Sequence, residues 1–392
     1  MESEKTEKSE KDLIVDVKSS EVSIALMENH RLIELDRQSS QGPSFNVGDV
    51  FLGKVKKLLP ALNAAFVDIG DEKEAFVHYL DLGLYFRAFD EFVKRINPNT
   101  HNIHKGIYSH IKLGEPLGKD GKIEDVLSVG QMIAVQIVKE PISTKGSRLT
   151  AEISLAGRNI VLLPFAEKVS VSQKISSKEE KKRLELLVRN ILPKNYGAII
   201  RTAAEGKSAS VLDAELMSLV EKWEESWKKL ARSKTVQLLF TEYSKTTVVL
   251  RDLLNDSFTN IHVNDEAVYE EIRKYISLIS PEQEKIVHLY DGKAPIFDQF
   301  EVTRQIKSSF GKVVPIKQGA YLVIEHTEAL HVVDVNSGTR SKNKEQEQNT
   351  FDVNCYAAEE IARQMRLRDM GGIVIVDFID METSEHRNAL YK

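Results

Sequence analysis

The sequence predicts a multidomain α/β protein, and three observations lead there. From Leu155 onward, apolar strand-like runs alternate with charged helix-like runs, the signature of an α/β layer. Between Val47 and about Ser154, five short strand-like runs crowd together, which suggests a small closed barrel. Near the end, two apolar runs flank a helical stretch, the order of a βαβ unit.

Length and composition fit this class. The chain has 392 residues, enough for two or three domains, because single cores rarely grow past ~250 residues. With 42% hydrophobic and 29% charged residues it has the make-up of a soluble globular protein. No uninterrupted apolar run reaches the ~18 residues of a membrane span. The opening "MESEKTEKSEKD" is polar and mixed in charge, unlike a secretory signal or a transit peptide, and reads as a disordered lead-in. A single cysteine, Cys355, cannot form an internal disulfide or a Cys-rich zinc site, which points to a reducing, cytoplasmic setting. The net charge of -5 gives no overall basic footprint, so a nucleic-acid partner would have to be held by local clusters.

The elements follow in order. Residues 12–35 give two or three short strands separated by Lys-Ser-Ser and Glu-Asn-His turns, and "SSQGPS" breaks the pattern. "VFLGKVKKLL", "AAFVDIG", "EAFVHY", "MIAVQIVKE" and "RLTAEIS" supply the barrel strands, of the OB type. Gly83 to Asp125 lacks clear periodicity and is expected to be an extended loop. Then come the strand "NIVLLP", a helix over about 178–192, the strand "YGAIIRTA" and a helix over about 210–232. In the second helix Leu212, Leu216, Leu219, Trp223, Trp227 and Leu230 form one apolar stripe.

In the last unit, "GAYLVIEHTEALHVVDVN" reads as a hairpin with its turn near 326–328, followed by the polar loop "SGTRSKNKEQEQNT" and a helix over "CYAAEEIARQMRLRD". "GGIVIVDFIDM" then supplies a strand parallel to the hairpin's second strand, by a right-handed crossover. Asp334 and Asp377 fall at the C-terminal ends of these two strands and so on one edge of the sheet, where α/β sheets bind ligands. Asp334 and Asn336 lie two apart and leave the same face of an extended chain. Burying lone carboxylates costs several kcal/mol unless a cation or hydrogen bonds compensate. Hard oxygen donors of this kind suit Mg²⁺ or Mn²⁺. Spacing alone favours a plainer reading, in which Asp334 and Asn336 make Asx-type turns and Asp377 caps the next element, because short motifs have many false positives.

Alternation in the barrel strands turns Phe66 and Phe76 to the polar side. Outward aromatics on an OB-type barrel can stack unpaired bases; the competing reading is that the 83–125 insertion folds over them. "IIRTAAEGKSAS" fails as a Walker loop because its first glycine would fall at Arg201, so nucleotide hydrolysis is not supported. An isolated Arg-Thr at a strand end also fits a surface ion pair.

"YLVIEHTEALHVVDVNSG", "NCYAAEEIARQMRLRDMGGIVIVDFIDM" and their separation closely resemble the catalytic region of the ribonuclease E/G family of bacterial endoribonucleases. The resemblance extends over nearly the whole chain after residue 12 and is weakest over 83–125. It implies an RNase H-like subdomain (13–45 and 245–309) interrupted by an S1 domain of OB type (46–152) and a 5′-phosphate sensor (153–244). A DNase I-like α/β catalytic subdomain (310–392) follows. It implies that Asp334 and Asp377 hold a catalytic Mg²⁺, and that Asn336 binds the scissile phosphate or positions the attacking water. Phe66, Phe76 and Lys145 would contact single-stranded RNA. Arg201 and Thr202 would bind a 5′-monophosphate, with Gly157 and Val161 lining that pocket.

The implied activity is Mg²⁺-dependent hydrolysis giving 5′-phosphate and 3′-hydroxyl ends, in rRNA and tRNA processing and mRNA decay. Family members continue beyond this point, with a Cys-pair zinc link that joins subunits, and with a further basic residue of the sensor. The resemblance implies a homo-oligomer for the full-length protein; the Zn²⁺ ligands of that link fall outside this chain, which puts the homo-oligomer of this chain in doubt. The alternative expectation is an RNA-binding fragment without catalysis.

Overall fold

A computed structural model describes residues 10–39, 45–96, 111–141, 145–230, 235–241, 244–338 and 346–392. Two compact units share the chain: residues 42–253 form one, and residues 1–41 together with 254–392 form the other. The first is therefore an insertion within the second.

The discontinuous unit begins with β1 (Lys11–Val17), β2 (Glu21–Glu28) and β3 (Arg31–Ser39), an antiparallel meander. β1 thus already starts inside the stretch expected as a lead-in; residues 1–9 lie outside the described residues.

The inserted unit starts with a barrel. β4 (Val50–Leu59), β5 (Ala64–Asp68) and β6 (Ala75–His78) pair antiparallel. Helix α1 (Phe86–Arg95) follows, then β7 (Met132–Lys139) and β8 (Arg148–Thr150). The order β4-β5-β6-β8-β7 closes through a β7–β4 pairing, so the five-stranded OB-like barrel leaves no free edge within that ring. Strand alternation does what its period dictates: Ala65, Val67, Ala75 and Val77 are buried in the barrel while Phe66 and Phe76 are not.

α1 corrects the expected extended loop. Phe86, Phe89, Phe92 and Val93 recur at helical spacing, and all are buried. The part of the insertion over 97–110 lies outside the described residues.

The unit continues with β9 (Leu155–Ala156), β10 (Ile160–Pro164), β11 (Val169–Val171), α2 (Lys178–Ile191), β12 (Tyr196–Ile200), α3 (Ala209–Leu230), β13 (Gln237–Phe240) and α4 (Lys245–Leu253). Its sheet runs β11-β12-β10-β9. Ser177 caps α2 by accepting from the Glu180 N–H at 3.1 Å. The fully buried Trp223 and Trp227 of α3 pack edge-to-face at 4.8 Å, and Phe92 of α1 lies 5.0 Å from the Trp227 ring. Barrel helix, sheet and α3 therefore share one core. β13 pairs with β4 of the barrel, so the barrel and the 153–244 stretch are not separate layers.

The discontinuous unit resumes with β14 (Phe258–Val263), α5 (Glu266–Ile279), β15 (Val287–Leu289), α6 (Ile296–Gln299) and α7 (Val302–Ser309), and completes a sheet ordered β15-β14-β1-β2-β3. A second sheet is built from β16 (Val313–Pro315), β17 (Tyr321–His326), β18 (Leu330–Asn336) and β19 (Ile373–Asp377), with α8 (Gln346–Leu367) between the last two and α9 (Ser384–Tyr391) after them. α8 starts well before the expected Cys355, inside the run read as a polar loop; residues 339–345 of that loop lie outside the described residues. No helix among the described residues is long and apolar enough to cross a membrane.

Candidate functional site

β17 and β18 form a hairpin, and β18 pairs parallel with β19 from Leu330↔Ile373 to Asp334↔Asp377. Partners in register point to the same face. One face of this sheet, with Leu322, Ile324, Val333 and Val335, packs on Val353, Ala357 and Ile361 of α8. The opposite face carries Asp334, Asn336 and Asp377 together with Val323, Val332 and Ile375.

That second face is open among the described residues: Ile373 is 62% and Ile375 48% exposed. Asp334 and Asp377 are exposed as well, which corrects the expectation of a costly buried charge. Water screens both carboxylates, so the fold does not require a cation to compensate them. Asn336 Nδ2 donates to Asp334 Oδ2 at 2.8 Å, which fixes the amide beside one carboxylate. The donor set is two carboxylates and an amide from adjacent strand ends. A hard divalent cation that keeps most of its water fits that set. No group of three or more His, Cys, Asp or Glu side chains that could hold a metal occurs among the described residues.

Sequence periodicity did not single out the residue that anchors this edge. Asn354 of α8 is fully buried and makes a two-point clamp on Ile379, donating Nδ2 to its carbonyl at 2.8 Å and accepting from its N–H at 3.1 Å through Oδ1. A buried amide paired with both backbone groups substitutes for a missing strand partner. The segment just after Asp377 is thereby held to α8. The available signal was an asparagine on the stripe of Ala357 and Ile361.

On the barrel, Phe66 and Phe76 are cross-strand partners whose rings meet edge-on at 6.2 Å. Lys57 lies beside Phe66 and Arg148 beside Phe76, so cations flank the aromatic pair on its own face. Neither cation was singled out from the sequence. Arg148 is paired with Asp81 at 3.0 Å. Lys145 is exposed, and the next residue, Gly146, passes so close to Glu74 that a Cβ there would lie 2.1 Å from its carbonyl oxygen. That close approach seats the Lys145 segment against the start of β6.

The third cluster lies at the ends of β9, β10 and β12. Arg201 donates Nη1 to the Gly157 carbonyl at 2.9 Å and its backbone N–H to the Asn159 carbonyl at 2.8 Å. Arg201 and Gly157 are thus brought into contact. Val161 is half-buried on β10, opposite Ile199, and Thr202 is exposed in the turn that follows Arg201.

Beneath the turn sits a buried carboxylate that patterning also missed. Glu215 accepts from the Asn159 N–H at 3.1 Å and the Asn159 amide at 2.8 Å, and from the Arg158 N–H. Burial raises its pKa, outweighing those bonds. A Cβ on residue 157 would stand 2.4 Å from its Oε1, which explains the glycine.

A family model described as the ribonuclease E/G family matches residues 154–392. Ribonuclease G of Haemophilus influenzae is 35% identical over 379 residues, covering 96% of this chain and 72% of the relative. Ribonuclease G of Escherichia coli strain K12 is 35% identical over 378 residues with the same coverage. Ribonuclease E of that strain is 34% identical over 381 residues, covering 96% of this chain and 34% of the relative.

Proposed function

The chain belongs to the ribonuclease E/G family, and from that premise we propose that it is an endoribonuclease that cuts single-stranded RNA by Mg²⁺-dependent hydrolysis. The observation that carries this reading is the register of Asp334 with Asp377 across β18 and β19, with Asn336 bonded to Asp334. Two carboxylates at one sheet edge form an anchor for Mg²⁺, with Mn²⁺ as a substitute. When bound, the ion neutralises charge on the scissile phosphate and lowers the pKa of its water. Asp334 and Asp377 fix where the phosphodiester must sit. Asn336, its amide held by Asp334, orients the phosphate or the attacking water. Water oxygen would attack phosphorus as the P–O3′ bond breaks, with a proton from the water ending on O3′, so the products carry 5′-phosphate and 3′-hydroxyl ends.

Phe66 and Phe76 would stack unpaired bases, with Lys57 and Lys145 near the backbone phosphates. Arg201 and Thr202, against Gly157 and Val161, would read a 5′-monophosphate and favour such ends for cleavage. Guanidinium and hydroxyl donors at a turn suit a phosphate dianion. RNA processing and decay in the cytoplasm is the setting this reading implies.

The test is cleavage of a short unstructured RNA with and without Mg²⁺, bearing either a 5′-monophosphate or a 5′-hydroxyl. Cleavage that needs Mg²⁺ and is faster on the monophosphate is expected. Binding without cleavage at any Mg²⁺ or Mn²⁺ concentration would reduce the protein to an RNA-binding module.

A further inference from the structure

The proposed sensor arginine is already engaged. Arg201 Nη2 donates to Asp252 Oδ1 at 2.7 Å while its Nη1 is spent on the Gly157 carbonyl. Asp252 does not depend on Arg201 for its position. Arg251, only 8% exposed, donates Nη2 to Asp252 Oδ2 at 3.1 Å and Nε to Oδ1 at 3.2 Å. Arg251 also reaches the Ala156 carbonyl at 3.2 Å, at the head of the Gly157 turn. The carboxylate is therefore held in place independently of Arg201, while Arg201 and Asp252 remain 33% and 37% exposed and open to a ligand. Burial works to raise the Asp252 pKa, but its hydrogen bonds from Arg251 and Arg201 prevail and hold it low. It is an anion whenever RNA would bind.

On the reading of Arg201 as the 5′-phosphate sensor, we propose that Asp252 is a specificity-determining counter-anion. It occupies the Arg201 guanidinium before RNA arrives and opposes any 5′ end that brings negative charge. A phosphate must take Arg201 from a carboxylate that stays in place. The penalty grows with the charge of the arriving group, because repulsion scales with the product of charges. A 5′-triphosphate is disfavoured more than a monophosphate, and a 5′-hydroxyl meets no such opposition.

The experiment is fluorescence-anisotropy binding of one short RNA carrying a 5′-hydroxyl, 5′-monophosphate or 5′-triphosphate, in Ca²⁺ to suppress cleavage. Wild type, Asp252→Asn, Asp252→Ser and Arg201→Ala are compared. In both Asp252 variants the affinity for monophosphate relative to hydroxyl RNA should rise by roughly fivefold, the upper end for an ion pair of this exposure, and the triphosphate ratio should rise more. Ratios that stay level or fall in the folded variants would overturn the role of Asp252. So would failure of both variants to fold, which would make Asp252 structural. Arg201→Ala separates the two levels of the argument. If it leaves a wild-type monophosphate preference intact, or wild type has none, the sensor reading itself fails; if it erases the preference while the Asp252 variants do not raise it, only the counter-anion fails.

Discussion

Asp334 and Asp377 are register partners at the C-terminal ends of two parallel strands, and both are exposed. Their proximity is thus imposed by the sheet, not by packing of the side chains. Asp334→Asn and Asp377→Asn should each keep the fold, since an exposed isostere disturbs little. Each should abolish Mg²⁺-dependent cleavage while leaving single-stranded RNA affinity within about twofold, because most of that affinity is expected from stacking and phosphate contacts elsewhere. Gel-based cleavage alongside anisotropy binding measures both. Full-rate cleavage by either variant would remove the metal assignment.

The Asn354 clamp makes a different prediction, about positioning. Removing the amide in Asn354→Ala leaves the Ile379 N–H and C=O without their partner, at a cost of about 1–3 kcal/mol. The chain just after Asp377 would lose its tie to α8 at Ile379, leaving only the one farther on through Glu347. A displacement on the order of 1 Å near reacting groups can cost about 100-fold in rate, so kcat should fall and the Mg²⁺ concentration for half-maximal rate should rise. Thermal melting reports the stability loss, and a metal titration of cleavage reports the rest. A destabilised variant with wild-type kcat would show that the clamp serves the fold alone.

What could be read from the sequence was what local rules govern. The apolar runs ending at Asp334 and Asp377, and the helix between them, gave the βαβ unit and its parallel register. Alternation alone turned Phe66 and Phe76 outward. α1 was missed although Phe86, Phe89 and Phe92 are in helical spacing, because its ten residues run directly into a stretch rich in Asn and His. The early start of α8 was missed because Gln346 to Thr350 carry no apolar stripe. Asn354 on Ile379, Glu215 on Asn159 and Arg201 on Asp252 join residues 25, 56 and 51 apart in sequence. No periodicity encodes such hydrogen bonds; they exist only once the layers are assembled. The exposure of the two aspartates was likewise invisible, since it depends on what covers the outward face of the sheet.

The barrel pair should act on RNA binding with little effect on stability, and because the two rings touch, their effects should not simply add. Phe66 and Phe76 are only half-buried, so on the proposed reading truncation to Ala would remove a base platform more than a core contact. Each change should weaken binding to unstructured RNA by about 1–3 kcal/mol. Lys57→Ala should weaken it less and flatten its salt dependence. Anisotropy titrations at two salt concentrations distinguish these effects. Unaltered affinity in Phe66→Ala and Phe76→Ala together would mean that RNA takes another path.

The last prediction concerns acid. Glu347, near the start of α8, accepts from the backbone N–H groups of Thr383 at 3.0 Å and Glu382 at 3.1 Å, and from the Thr383 hydroxyl and His386 Nδ1. It ties to α8 the N-terminus of α9, just beyond the Ile379 clamp. The backbone bonds from Thr383 and Glu382 lead in lowering its pKa from 4.5 to about 2. A carboxylate whose pKa is lower in the folded state stabilises that state above its unfolded pKa, and the contribution is lost as pH falls toward the folded one. The tie should therefore be intact at pH 5 and loosen progressively between pH 4.5 and about 2. Glu347→Gln weakens the acceptor at every pH, so it should show low hydrogen-exchange protection at the Glu382 and Thr383 amides already at pH 5, and no further loss across that window. Equal protection of those amides in wild type and Glu347→Gln at pH 5 would rule the tie out.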